Sequence, residues 1–133
     1  MASKVFINLP VKDLERSKAF FTKLGYTFNE RFTDHTAACM VISEHIYSML
    51  LTEARFKDFT PKAIADATRS TEVLVALAME NKAKVDALVD TALSAGATKA
   101  REPKDHGFMY ERSFNDLDGH IWEIFWMDPA AVQ

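Results

Sequence analysis

Thiol chemistry is nearly absent from this chain: Cys39 is its single cysteine. One thiol cannot close a disulfide within the chain or build a thiolate-rich metal site. No apolar run approaches the roughly 20 residues needed to cross a bilayer as a helix. No block of lysines and arginines stands out, and the formal net charge is −3. Nucleic-acid phosphates call for a clustered basic footprint, so nucleic acid is not an expected partner. The four histidines, at 35, 45, 106 and 120, form no H-x-H or i, i+4 pair. They read as surface residues in turns, with His106 at a loop where a lid could hang. The opening Met1-Ala2-Ser3-Lys4 lacks a signal-peptide pattern. The expectation is a cytoplasmic protein with no membrane partner.

What is present is a strand–helix–strand order written twice. Residues 4–10 alternate, with Val5, Ile7 and Leu9 on one face and Phe6 and Asn8 on the other. Pro10 closes that strand because it has no N–H to donate. Asp13 then offers an N-cap acceptor. Leu14, Ser17, Phe21 and Leu24, with Phe20 beside them, make a helical stripe that Gly25 ends. Strands are predicted at Tyr26–Arg31, Thr36–Ser43 and Ile46–Thr52. In the connection, Thr60-Pro61 predicts a short helix over Lys62–Thr68.

The second half repeats the order. A strand over Thr71–Glu80 puts Val73, Val75, Leu77 and Met79 on one face. Glu72, Leu74, Ala76 and Ala78 fall on the other. Asn81 caps a helix with Val85, Leu88, Val89, Ala92 and Leu93 on one stripe, and Gly96 ends it. Strands over Ala97–Arg101, Phe108–Asn115 and His120–Met127 follow. Two βαβββ modules in 133 residues predict an α+β fold, a curved mixed sheet around a cavity. The expected division is a first module at about 1–53, a crossover at 54–70 and a second module at about 71–128, within one domain.

The last strand poses the functional problem. Asp118-Gly119 supplies a tight turn, and Ile121-Trp122-Glu123-Ile124-Phe125-Trp126-Met127 is apolar except for Glu123. Trp122, Ile124 and Trp126 suit a helix-facing row, which sends Glu123 to the cavity with Ile121 and Phe125. A carboxylate there needs a partner, a proton or a metal. It reads as an acid/base group, a ligand-binding charge, or a structural partner of an arginine such as Arg112. Tyr110 shares the strand face of Arg112, which could meet an anionic substrate or Glu123. Asn8 and Glu72 lie on cavity faces by alternation. Cys39, within Ala-Ala-Cys-Met-Val, reads as core.

The segment Asn8-Leu9-Pro10-Val11-Lys12-Asp13-Leu14-Glu15-Arg16-Ser17-Lys18-Ala19-Phe20-Phe21 resembles the entry of vicinal oxygen chelate proteins. That superfamily includes glyoxalase I (lactoylglutathione lyase), extradiol dioxygenases and bleomycin- and fosfomycin-resistance proteins. Leu24-Gly25-Tyr26 matches the family's L-G-(F/Y) step. Asp116-Leu117-Asp118-Gly119-His120-Ile121-Trp122-Glu123-Ile124 matches its D-x-D-G-x-x-h-E-h closing signature. The chain looks closest to a bacterial group related to lactoylglutathione lyase. The resemblance implies metal-ligand positions at Phe6, near Leu50 (with Ser48 and Thr52 on its face), at Leu74 and at Glu123. Of these only Glu123 has an atom suited to a divalent ion, for which three protein ligands are typical. No metal cofactor is therefore expected. The expectation is a homodimer binding a small, partly apolar molecule, with Glu123 as the catalytic candidate. Phe6, Asn8, Leu50, Glu72, Leu74, Tyr110 and Arg112 are the substrate-binding candidates. The alternative is a glyoxalase-type lyase or isomerase with unusual ligands, or one using Glu123 as general base.

Overall fold

The computed structural model describes residues 3–132 and divides into two compact units, Met1–Ala65 and Asp66–Gln133. The first unit begins with β1 (Val5–Val11), followed by α1 (Leu14–Lys23), β2 (Thr27–Phe28), β3 (Ala37–Val41), β4 (Ile46–Thr52) and the short α2 (Glu53–Phe56). Its sheet is mixed, in the order β1-β4-β3-β2, with β1 parallel to β4 and the other pairs antiparallel. Asp13 caps α1, its carboxylate accepting from the Arg16 N–H at 3.1 Å. Gly25, at φ 101°, carries the chain out of the helix in the left-handed region that glycine reaches without cost.

Leu14, Ser17, Phe20 and Phe21 of α1 are buried, and α1 lies against β3 and β4. Pairing places Leu9, Leu50 and Ala38 in one row across this sheet, with Ile7, Ser48 and Met40 in the next. All but Ile7 are buried, and the Ser48 hydroxyl satisfies itself on the Ile7 carbonyl at 3.0 Å. Cys39 is buried too, and that burial pushes its thiol pKa up.

The second unit runs β5 (Leu74–Ala78), α3 (Lys82–Ser94), β6 (Thr98–Lys99), β7 (Lys104–Asp105), β8 (Met109–Asn115) and β9 (Ile121–Met127). Its sheet is ordered β5-β9-β8-β6, with β7 also paired to β8. Here β5 is parallel to β9 and the remaining pairs are antiparallel. The Asn81 side chain caps α3 through the Lys84 N–H at 2.8 Å. Val85, Val89 and Ala92 of α3 are buried, as are Val75, Leu77, Phe114, Trp122 and Ile124 of the sheet. Contacts of α3 with β8 and β9 fix the helix-covered face. The architecture is thus α+β, two mixed sheets with three helices among the described residues.

Four predicted elements change, among them the strand expected over Ala97–Arg101, which shrinks to Thr98–Lys99. The strand expected over Tyr26–Arg31 shrinks to Thr27–Phe28, because the Asn29 side chain accepts from the Arg31 N–H and starts a 3-10 turn at Glu30–Phe32. The helix expected over Lys62–Thr68 does not form. The Thr60 hydroxyl does accept from the Lys62 N–H at 3.1 Å, but Asp66 then takes the Thr68 N–H and hydroxyl into a local turn. Side-chain competition of this kind favours turns over helix. Two short segments replace it, α2 and a 3-10 turn at Lys57–Phe59. The strand expected over Thr71–Glu80 begins only at Leu74.

Candidate functional site

The hairpin of β8 and β9 sets the geometry, and its turn is held by one buried carboxylate. Asp116 Oδ1 accepts from the backbone N–H groups of Asp118 (2.9 Å) and His120 (3.0 Å), while Oδ2 accepts from Trp122 Nε1 at 2.9 Å. Burial holds the Asp116 carboxyl above the usual range, opposed by neighbouring His120 and by these hydrogen bonds. Gly119 sits at φ 91°, and a Cβ there would meet the Ala67 carbonyl oxygen at 2.8 Å. The Asp-x-Asp-Gly motif is therefore architecture: it locks the register of the strand that carries Glu123. His120, expected on the surface, is 8% exposed within this turn.

That register pairs Ser113 with Glu123, Arg112 with Ile124 and Tyr110 with Trp126. Paired residues share a face, so Glu123, Ser113 and Glu111 lie on the open face while Arg112 and Tyr110 lie on the helix side. This corrects the expected grouping of Tyr110 and Arg112 with Glu123. Tyr110 donates its hydroxyl to Asp86 of α3 at 2.6 Å. Arg112 Nη1 reaches Asp86 at 3.0 Å and Asp90 at 2.9 Å. The Tyr110 hydroxyl, and then Arg112, hold the Asp86 carboxyl below its ordinary value against the effect of burial. These contacts tie α3 to its sheet.

The partner of Glu123 is Arg101, which sequence reasoning missed. Arg101 Nη2 lies 2.5 Å from Glu123 Oε2 and 3.2 Å from Glu111 Oε1. The two carboxylate side chains are only 20% and 17% exposed, and the Arg101 side chain 44%. Ser113, two residues from Glu111 on β8 and paired with Glu123 of β9, is 2% exposed, and its Oγ has no hydrogen-bond partner. Beside this cluster, β5 pairs Leu74 with Ile121, Ala76 with Glu123 and Ala78 with Phe125. Leu74, 52% exposed, begins an apolar margin there.

The other candidates are placed as follows. Phe6, 49% exposed, stacks on Tyr47 of β4 with ring centroids 4.7 Å apart, on the face opposite Leu9 and Leu50. Asn8 is on the same face as Phe6, and its amide donates to the Phe6 carbonyl at 3.3 Å. Leu50, expected on a cavity face, is fully buried on the opposite side, because its register with Leu9 turns it toward the core. Glu72, expected on a strand, is exposed and precedes β5, outside the ladder that would have fixed its face. His106 is exposed in the loop before β8, 6.1 Å from the Phe108 ring.

A divalent metal does not fit these residues. Phe6, Leu50 and Leu74 offer no donor atom, and the Glu123 carboxylate is engaged by a guanidinium. Among the described residues no group of three or more His, Cys, Asp or Glu could hold a metal ion. No helix there is long and apolar enough to cross a membrane.

Residues 4–43 match the family described as bleomycin resistance protein-like N-terminal. No curated protein matches the chain. Among solved structures, a hypothetical protein from S. aureus superposes with TM-score 0.78 at 27% identity, covering 95% of each chain. A glyoxalase/bleomycin resistance protein/dioxygenase family enzyme from Burkholderia phytofirmans PsJN gives 0.77 at 17% identity, covering 95% of this chain and 99% of that one. A glyoxalase-related enzyme from Fulvimarina pelagi gives 0.79 at 20% identity, covering 95% and 88%. In fold the chain is similar throughout to these glyoxalase/bleomycin resistance/dioxygenase proteins, and over residues 4–43 its sequence matches a bleomycin resistance protein-like N-terminal region.

Proposed function

We propose that this protein binds a small, partly apolar molecule without a divalent metal, as a cytoplasmic homodimer. The observation that carries the reading is the open face of β5, β8 and β9. There an apolar margin led by Leu74 adjoins a charged group in which Arg101 holds Glu123. Apolar walls with a few convergent polar groups are what small-molecule sites are made of. The match to a bleomycin resistance protein-like region supports binding over turnover. The ion pair on Glu123 weighs against its use as a free general base, since its carboxylate is already engaged by the Arg101 guanidinium.

Titration calorimetry of the purified chain with bleomycin and a panel of small aromatic compounds tests this. Saturable binding of at least one compound, surviving dialysis against a chelator, is the expected result. Elemental analysis showing about one metal per chain, together with turnover of a methylglyoxal–glutathione hemithioacetal, would replace it with the glyoxalase-type lyase reading. Proteins of this size that associate are most often symmetric pairs. Light scattering should give twice the 15.0 kDa of one chain; a mass of one chain at micromolar concentration removes the dimer from the proposal.

A further inference from the structure

We propose that Glu111, Glu123 and Ser113 form a seat for a primary ammonium group, a seat that the Arg101 guanidinium fills here. The proposal rests on the binding reading above and names the chemical class of the ligand. In the sheet order, β6 flanks β8 on one side and β9 on the other. Arg101 follows β6, so its side chain crosses β8 to reach Glu123, and the β8 residue facing Glu123 is Ser113. The arginine is a strap laid across the seat.

Three features point to a cation other than this arginine. Two carboxylates share a single guanidinium in this cluster, and Lys104, paired with Glu111 across β7 and β8, is the next cation on that face. A single nitrogen, Nη2, makes both carboxylate contacts, while the Ser113 hydroxyl, buried to 2%, is left without a partner. Buried hydroxyls are nearly always bonded, so an orphan beside two carboxylates marks an unfilled acceptor position. An ammonium carries three donors on one compact centre and matches three acceptors. An anion would have to settle beside two carboxylates.

The strap can leave. Arg101 lies on an exposed stretch between two-residue strands at the sheet edge, and its ion pairs are partly solvated. Only the carboxylate end of each pair is sheltered, so the link costs less to break than a fully buried one. An ammonium in its place would lay an apolar tail toward Ala76 and Leu74 of β5.

The test titrates the whole chain with 2-phenylethylammonium, 3-phenylpropionate and 3-phenyl-1-propanol. The ammonium compound should bind roughly tenfold more tightly than either of the others, a difference one charge-assisted hydrogen bond can supply. Glu111→Gln and Glu123→Gln should each weaken it by about the same factor, and Arg101→Met should strengthen it. Equal binding of the alcohol overturns the ammonium seat but leaves the apolar binding face standing. Preference for the carboxylate, lost in Arg101→Met, overturns it in favour of an anion site. Binding of none of the three removes the seat and weakens the binding reading with it. The ranking of probes on the unaltered chain decides the matter even where a variant folds poorly.

Discussion

Glu123 is joined to Arg101 across the full width of β8, and Arg112, one residue from Ser113 on that strand, turns the other way to α3. A double-mutant cycle separates the two arginines. Glu123→Gln with Arg101→Met should show coupling of about 1 kcal/mol, since the pair is partly exposed. Glu123→Gln with Arg112→Met should be additive within about 0.5 kcal/mol. Urea melts of the three single and two double variants read both numbers; coupling to Arg112 alone would contradict the strand register.

Acid should loosen α3 through Asp86. Its carboxyl is held below the ordinary aspartate value, by the Tyr110 hydroxyl first and Arg112 after it. The ionised form therefore stabilises the fold above the unfolded value, and that contribution is lost as pH falls through the lowered folded value. Urea midpoints between pH 6 and the acid limit should fall less steeply for Tyr110→Phe than for the unaltered chain. Identical slopes would refute the assignment.

Asp116 runs with the opposite sign. Burial raises its carboxyl, so its contribution is largest at low pH and declines as pH rises through the folded value. Asp116→Asn keeps an acceptor for the turn amides but faces Trp122 Nε1 with an NH2 donor. Stranding that buried indole N–H should cost roughly 2 kcal/mol at neutral pH. Adding Trp122→Phe should cost less in the Asp116→Asn background than in the unaltered chain, as paired thermal melts would reveal.

Two glycines in the left-handed region differ in their surroundings. Gly25→Ala has nothing within 4 Å of the new Cβ, so only the backbone penalty of about 1 to 2 kcal/mol applies. Gly119→Ala adds a Cβ 2.8 Å from the Ala67 carbonyl oxygen. It should cost at least about 1 kcal/mol more than Gly25→Ala. Equal losses in calorimetric stability would mean that residues 66–68 yield freely.

How much of this was readable in the sequence depended on the range of the interaction. Periodicity found both helices and their caps, because Asp13, Asn81, Gly25 and Gly96 act on backbone a few residues away. Alternation put Glu123 and Leu74 on one face, and the β5–β9 register keeps them on one face. It could not pair strands. The Asp116–His120 turn contained enough to set the β8–β9 register, and following it would have put Arg112 beside Ile124 rather than Glu123. Glu72 failed because the ladder starts two residues later, where β9 offers Ile121 as a partner for Leu74. Arg101 was missed for another reason: it closes the strand expected over Ala97–Arg101, and nothing in the sequence showed that this strand ends at Lys99 and lies along the flank of β8.

Trp122 and Trp126 are the chain's two tryptophans, and both lie on β9. Indole emission consequently reports on the second unit alone, while far-ultraviolet dichroism averages over both. Trp122 is sealed against Asp116, and Trp126 has the Lys82 ammonium 5.5 Å from its ring centroid. The chain thus contains its own spectroscopic label: superimposable fluorescence and dichroism transitions would mean that residues 1–65 and 66–133 melt as one cooperative body, and separated transitions that each unit keeps its own melting temperature.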